Sequence, residues 1–183
     1  RAGLAERVEG RELTLLDLGE DRHGRRRGHL LDTETGHWLQ EDLVDAGLVR
    51  VAPSPDDRAC ARALTAREAP ARAARRGLWG EAPFAVRAAD RGLLALVGGI
   101  AVVEGTVRSV GRSGGRVWLN FGDDIRRDFA VVMNDKDRER FAAAGIVPDR
   151  LRGRALTVRG VVLERDGPRI EIGDPEEIDP LKR

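Results

Sequence analysis

In the second half of this chain apolar side chains return at every second position in short runs, a pattern that admits few folds. Ala101 to Val110 alternates after its first residues, Arg116 to Phe121 alternates throughout, and Phe129 to Met133 does so again. Asn134, a residue suited to an N-cap, opens a helical stretch over Asp135 to Ala144 that Gly145 closes. Two further runs follow, Ala155 to Leu163 and Arg169 to Ile172, separated by the turn Asp166-Gly167-Pro168. A period of two sends successive side chains to opposite faces, so each run is a strand with one face to bury. The order of three strands, one helix and two strands is that of the five-stranded OB barrel, a fold that often binds oligonucleotides. The Gly111–Gly115 stretch supplies a hairpin turn between the first two runs.

The first half has another rhythm. Ala5 to Val8 reads as the tail of a helix, Glu12 to Leu16 as a short strand and Gly28 to Leu31 as a second. Trp38, Leu39, Leu43, Val44 and Leu48 recur at the spacing of an amphipathic helix, with Gly47 at its C-terminal cap. Asp57 to Arg76 is a longer helix with six arginines and, after its opening aspartate, a single acid, Glu68. Gly77 ends it, and Pro70 is expected to kink it, because an interior proline loses a backbone bond and clashes with the preceding turn. The predicted fold class is mixed α+β, with much of it β. Residues 1–80 form one part (helix, two strands, two helices), residues 81–98 a linker, and residues 99–181 an OB-like barrel with one helix.

Composition narrows the function classes. The 183 residues suffice for one large domain or two small ones, and 32 basic side chains against 31 acidic ones leave a net charge of +1. Affinity for nucleic acid therefore has to come from local patches rather than from a polycationic tail. Cys60 is the sole cysteine, which excludes an internal disulfide and a cysteine-based zinc site. The longest apolar stretch, Leu93 to Val103, is interrupted by Gly98 and Gly99 and is too short to span a bilayer. Residue 1 opens directly into charged, helical-looking sequence without a signal-peptide pattern, so we expect either the mature start or a chain lacking an upstream part.

Chemistry in the first half concentrates in Asp21-Arg22-His23-Gly24-Arg25. A glycine between charged residues permits a tight turn, and Arg25 offers a planar fork of donors suited to two phosphate oxygens. The residues alone also allow a solvated turn with surface arginines. This block is followed in order by Trp38-Leu39-Gln40, Leu43-Val44, Gly47-Leu48-Val49-Arg50-Val51 and Ala73-Ala74-Arg75-Arg76-Gly77-Leu78-Trp79. Together these blocks resemble the later part of the staphylococcal thermonuclease-like (SNase) family, over roughly residues 4–80.

The resemblance implies hydrolysis of DNA or RNA phosphodiesters, usually with Ca²⁺, in which a carboxylate activates water and two arginines stabilise the charged transition state. Arg25 takes the matched catalytic arginine, while Arg22 and His23 fall where the family contacts the terminal phosphate of a bound nucleotide. His23 replaces the more common tyrosine, and it also reads as an exposed turn histidine. The family's other catalytic arginine, its glutamate and its calcium-binding aspartates precede the first helix, and no residue in 1–20 matches them. Glu9, Glu12 and Asp17 read instead as a solvated helix end and strand rim. Pro53 and Pro55 occupy the places of the founding member's base-stacking aromatics. Residues 1–80 thus read as a partial domain in which Leu13, Leu15, Leu30, Val44 and Leu48 lack partner strands, with poor stability in isolation. Because the family is commonly exported, the resemblance also implies a secreted or periplasmic setting.

In the second half, alternation puts Val117, Leu119 and Phe121 in the core and turns Arg116, Trp118 and Asn120 outward. An outward Trp beside an Arg and an amide on the second barrel strand suits base stacking and phosphate contact, and Arg108, Arg126 and Arg127 extend the basic strip. Burial of Trp118 under the first half or a neighbouring loop is the alternative. Gly115 to Gly122 and Arg127-Asp128-Phe129 resemble the nucleic-acid-binding OB domains appended to some bacterial thermonuclease-like proteins. The expected whole is a nuclease-family protein with an OB domain that binds DNA or RNA. Its rivals are a non-catalytic nucleic-acid-binding protein and a protein-interaction module on the same scaffold.

Overall fold

The computed structural model describes residues 2–21 and 23–180. Contacts divide it into two units, Arg1–Phe84 and Ala85–Arg183. No helix of the described residues is long and apolar enough to cross a membrane.

In the first unit α1 (Ala2–Val8) precedes an antiparallel hairpin of β1 (Leu13–Glu20) and β2 (Arg26–Asp32), with Leu13 opposite Asp32 and Leu16 opposite His29. Two helices follow, α2 (Leu39–Asp45) and α3 (Arg58–Ala73), and they pack on each other. Along α3 the buried positions are Ala61, Leu64, Glu68, Ala71 and Arg72, the three-to-four spacing of a single face, so the helix turns its acid and one of its arginines inward. The helix runs through Pro70, which lies in its last turn and deprives it of one donor close to its end. Of the leucines and valine expected to lack partners, Leu15 and Leu48 are 43% and 38% exposed. Leu13 and Leu30 are half-buried, while Val44 is fully buried.

The ends of α2 and α3 meet backbone to backbone. Gly47, at φ +68°, accepts from the amide of Leu78 at 2.8 Å, and a Cβ there would stand 2.2 Å from the Arg76 carbonyl oxygen. Gly77, at φ +54°, mirrors it on the other side, where a Cβ would stand 2.5 Å from the Gly47 carbonyl oxygen. These contacts explain why the blocks around residues 47 and 77 each carry a glycine. Gly47→Ala is expected to cost about 2 kcal/mol or more, through left-handed backbone strain and displacement of the 76–78 segment. Denaturant unfolding of the full chain checks this, and an unshifted first transition would refute it.

The second unit is an OB barrel by its ladder. Its strands are β3 (Arg87–Ala88), β4 (Ile100–Thr106), β5 (Ser109–Ser113), β6 (Arg116–Asn120), β7 (Ala130–Asn134), β8 (Ala155–Glu164), β9 (Pro168–Ile172) and β10 (Ile178–Pro180). The first predicted strand is bent at Val107 and Arg108, so its β4 half pairs with β8 and its β5 half with β6. From β6 the ladder passes to β7, then in parallel to β9, and by a hairpin to β8, which closes the ring on β4. The β5–β6 turn has Gly114 and Gly115 at φ +59° and +71°, the two left-handed residues that a tight hairpin requires. Alternation fills the interior with Val117, Leu119, Val131, Met133, Leu156, Val158 and Ile170. Phe141 from α4 (Arg138–Ala143) is completely buried in the same core. Asn134 precedes a short 3-10 turn before that helix and makes no side-chain cap bond. The segment expected to be a linker, 81–98, is largely built into this unit: Arg87 and Ala88 pair with β4, and Leu93 is 1% exposed in the core.

Candidate nucleic-acid interface

The outer face of β6 carries Arg116, Trp118 and Asn120, since Val117 and Leu119 are wholly buried on the other side. Trp118 stands opposite Gly111 on β5 and Val132 on β7, and one ladder step further Ala130 stands opposite Arg169 on β9. Small neighbours leave room above the strand: a Cβ on Gly111 would meet nothing within 4 Å. On this face lies a cavity of about 340 Å³, walled by Trp118, Asn120, Arg112 and Arg169 and rimmed by Ile125 and Arg126. The β5–β6 and β8–β9 turns flank it, the latter through Arg165 and Asp166. Oligonucleotides are bound on this same face in OB folds generally.

The charges on the face divide into committed and available ones. Arg112 makes a bidentate pair with Asp149 at 3.0 and 2.8 Å, a bond that raises the pKa of Arg112 and lowers that of Asp149. Glu171 accepts from Arg116 at 3.2 Å and also from Arg169. Arg169 is 8% exposed, with its guanidinium 5.9 Å from the Trp118 ring centroid. Among the described residues no carboxylate pairs with Arg126 or Arg165, both exposed at the mouth. The loop between β6 and β7 is held by Asp128, which accepts from Arg91 at 2.7 Å and from the amide of Asp124 at 2.9 Å. Those bonds, the backbone one first, hold the Asp128 carboxyl below its usual range.

Set against the sequence expectations, Trp118 lies within the cavity wall, half-buried. Asn120 is buried and donates to Ser109 Oγ at 3.1 Å, so it supports the face rather than projecting from it. Arg116 is tied to Glu171 and is not a wall residue. Arg127 is exposed and also outside the wall; its neighbour Arg126 takes that place. Sequence reasoning missed Arg169, Arg165 and Ile125. The parity of β9, with Ile170 inward, would have turned Arg169 outward. Nothing in the sequence, however, tells that β9 runs parallel beside β7.

In the first unit the turn between β1 and β2 is organised by Asp21. One carboxylate oxygen accepts from the amides of His23 at 2.8 Å and Arg25 at 3.0 Å; the other accepts from Arg25 Nε at 2.7 Å and Nη2 at 2.6 Å. These bonds, led by those from Arg25, lower the Asp21 pKa to about 2. A carboxyl whose pKa falls on folding contributes above its unfolded value and loses that contribution only as pH drops through the folded one. The clamp is therefore intact at any pH from neutral down to mild acid. Arg25 is thereby fixed in orientation while its side chain stays 76% exposed, and Gly24 turns the chain at φ +73°. Arg22, expected beside it, lies outside the described residues. His23 is exposed in the turn.

Among the described residues no calcium-type set of oxygen ligands accompanies Arg25. Among the described residues one group could hold a metal, His29, Asp57 and Cys60, with ligand atoms within 4.8 Å of one another. It offers one carboxylate, one ring nitrogen and one sulfur, whereas calcium takes six to eight oxygens. Its hydrogen bonds also account for it without an ion. Trp38 Nε1, which can only donate, bonds His29 Nδ1 at 3.1 Å, so the ring proton sits on Nε2 and is given to Asp57 at 2.7 Å. Burial, then a hydrogen bond to Asp57, pushes the Cys60 thiol up. The trio is a polar clasp joining β2 to the start of α3.

Residues 1–81 match the family model for staphylococcal nuclease homologues. No curated protein matches the chain. Among solved structures it is similar to an OBody, AM1L10, bound to hen egg-white lysozyme, at 23% identity over 49% of this chain and 85% of that one, with a TM-score of 0.35. It is also similar to the S. pombe Stn1–Ten1 complex, at 16% identity over 46% and 59% of the two chains, with a TM-score of 0.33. For asparaginyl-tRNA synthetase from Pyrococcus horikoshii the values are 19%, 48% and 20%, with a TM-score of 0.35.

Proposed function

Starting from the staphylococcal nuclease homologue match over residues 1–81, we propose that this chain acts on nucleic acid, with the OB barrel holding a single strand across the Trp118 face. The observation that carries this reading is the cavity on that face. Its aromatic wall residue, Trp118, can stack a base, and Arg126 and Arg165 in its lining, paired with no carboxylate among the described residues, are suited to phosphate. Stacking tolerates any base, because every base has a π-face, and arginines add a sequence-independent attraction to the backbone. Trp118→Ala is expected to weaken binding of a labelled single strand by about 1–3 kcal/mol. Fluorescence anisotropy at two salt concentrations checks this. Unchanged affinity would remove Trp118 from the interface, and affinity insensitive to salt would favour a protein partner instead.

A second reading rests on the Asp21–Arg25 clamp. A guanidinium held in one orientation yet open to solvent is arranged as a donor to charge that develops on a phosphorus centre, the device that lowers the barrier in acyl and phosphoryl transfer. On this reading the first unit contributes Arg25 to phosphodiester hydrolysis, and the OB barrel raises the effective concentration of the strand. The calcium that the resemblance implies has no fitting ligand set among the described residues, so the reading is confined to the arginine.

A further inference from the structure

Arg126 reaches the cavity from the loop between β6 and β7, and that loop is held from outside the cavity. Arg91, in the 3-10 segment Arg91–Leu96 ahead of β4, donates from Nε to Asp128 Oδ1 at 2.7 Å and sets Nη2 3.5 Å from Asp124 Oδ2. Arg91 itself stays outside the lining. Asp128 Oδ2 accepts from the Asp124 amide at 2.9 Å, and Asp124 Oδ1 in turn accepts from the amide of Arg126 at 3.1 Å. The amides of Arg127 and Asp128 donate to the Asp124 carbonyl at 3.0 and 2.8 Å and close the turn. Gly122 lies against this brace, and a Cβ there would overlap the Asp128 carboxylate. On the other flank Gly167, at φ +100°, lies so close that a Cβ would stand 2.7 Å from the Arg127 carbonyl. The turn that carries Arg165 and the loop that carries Arg126 are therefore packed at a fixed spacing. Asp166 shares the lining, yet neither arginine pairs with it among the described residues. A long arginine side chain samples many rotamers, so the place where its backbone is held decides which phosphate it reaches and at what entropic cost.

We propose that Asp128, held by Arg91, is a positioning residue of this interface: it fixes the backbone from which Arg126 meets a phosphate of the bound strand. The role rests on the single-strand reading above and adds to it a carboxylate that favours an anionic ligand through the loop it braces. Its sign sets it apart from plain electrostatics. Asp128 is an anion in the lining of a site for a polyanion, so removing its charge would tighten binding if only the field mattered. If Asp128 positions Arg126, the same change weakens binding.

The experiment follows labelled oligo(dT) of about 12 nucleotides by anisotropy over a series of salt concentrations, with the full chain. One single-strand phosphate contact accounts for about 0.7 in the slope of log K against log salt, which at about 0.1 M salt amounts to about fivefold in affinity. Asparagine offers one acceptor oxygen where the brace uses two. Asp128→Asn is therefore expected to lose about that slope and that affinity, as Arg126→Ala does. Its melting curve should shift little, because an ion pair with so exposed an arginine contributes little to stability. In an Arg126→Ala background Asp128→Asn should cost nothing further. Gly122→Ala alters no charge, displaces the Asp128 carboxylate and should reproduce the loss; it decides alone should Asp128→Asn fail to fold. Equal or tighter binding by Asp128→Asn, or a loss with an unchanged slope, would overturn the positioning role and leave the single-strand reading standing. So would an undiminished loss in the Arg126→Ala background. No binding by the unaltered chain would sink the single-strand reading, and the role with it.

Discussion

Glu68→Ala is expected to unfold the first unit at denaturant concentrations where the unaltered chain is folded, at a cost of about 3–5 kcal/mol. Glu68 is completely buried on the inner face of α3, where it accepts from the Val51 amide at 2.7 Å and lies 3.4 Å from Arg72, itself 8% exposed. Removing the carboxylate leaves a buried guanidinium without that counter-charge and a backbone amide without that acceptor, and both penalties act together. Glu68→Gln keeps an acceptor for Val51 but not the charge, so it should fall between the two. In a Trp118→Phe background the remaining tryptophans, Trp38 and Trp79, both lie in the first unit, so fluorescence follows its unfolding alone. A midpoint unmoved by Glu68→Ala would mean that the pair breaks even against water.

Arg25→Ala is expected to lower any phosphodiesterase rate of the full chain by about two to three orders of magnitude. Its effect on stability should be slight, because the side chain is 76% exposed and its partner Asp21 keeps the backbone bonds that shape the turn. A chain that loses rate and keeps its melting curve would place the guanidinium in the chemistry. Equal rates for both proteins, or no cleavage by the unaltered chain under any divalent cation, would leave the OB face as the functional site. Arg25→Lys sharpens the test. Lysine restores charge but cannot hold Asp21 through two nitrogens while a third stays open to phosphate, so a rate near that of Arg25→Ala would point to geometry rather than to net charge.

How far each element could be read depended on whether its determinant was local. Strands β6, β7 and β9 were legible because a period-two pattern says which side chains are inside, and the buried Val117, Leu119, Val131 and Ile170 lie on that parity. Caps and turns were legible at Gly47 and Gly114-Gly115, where only a residue free of a Cβ tolerates the backbone. Helix α3 was legible in extent but misleading in character. The arginine-rich stretch 57–76 reads as locally basic, yet α3 buries its lone acid, Glu68, with Arg72, and that choice depends on Val51 arriving from a loop 17 positions earlier. The bend that splits the first barrel strand at Val107 was not legible, because it is imposed by closing a ring between β6 and β8.

The sequence by itself determined the order of strands and helices, the residues of the barrel interior and the shape of the Asp21 turn, since these follow from periodicity and from contacts a few residues long. Only the tertiary structure decided which arginines are spent on carboxylates and which are open. That question turns on neighbours brought together from 37 positions away for Arg112 and Asp149, or 55 for Arg116 and Glu171. It likewise decided that Arg169 and Trp118, 51 positions apart on different strands, line one cavity. Charge is a property of a residue, whereas availability is a property of the place where the fold puts it.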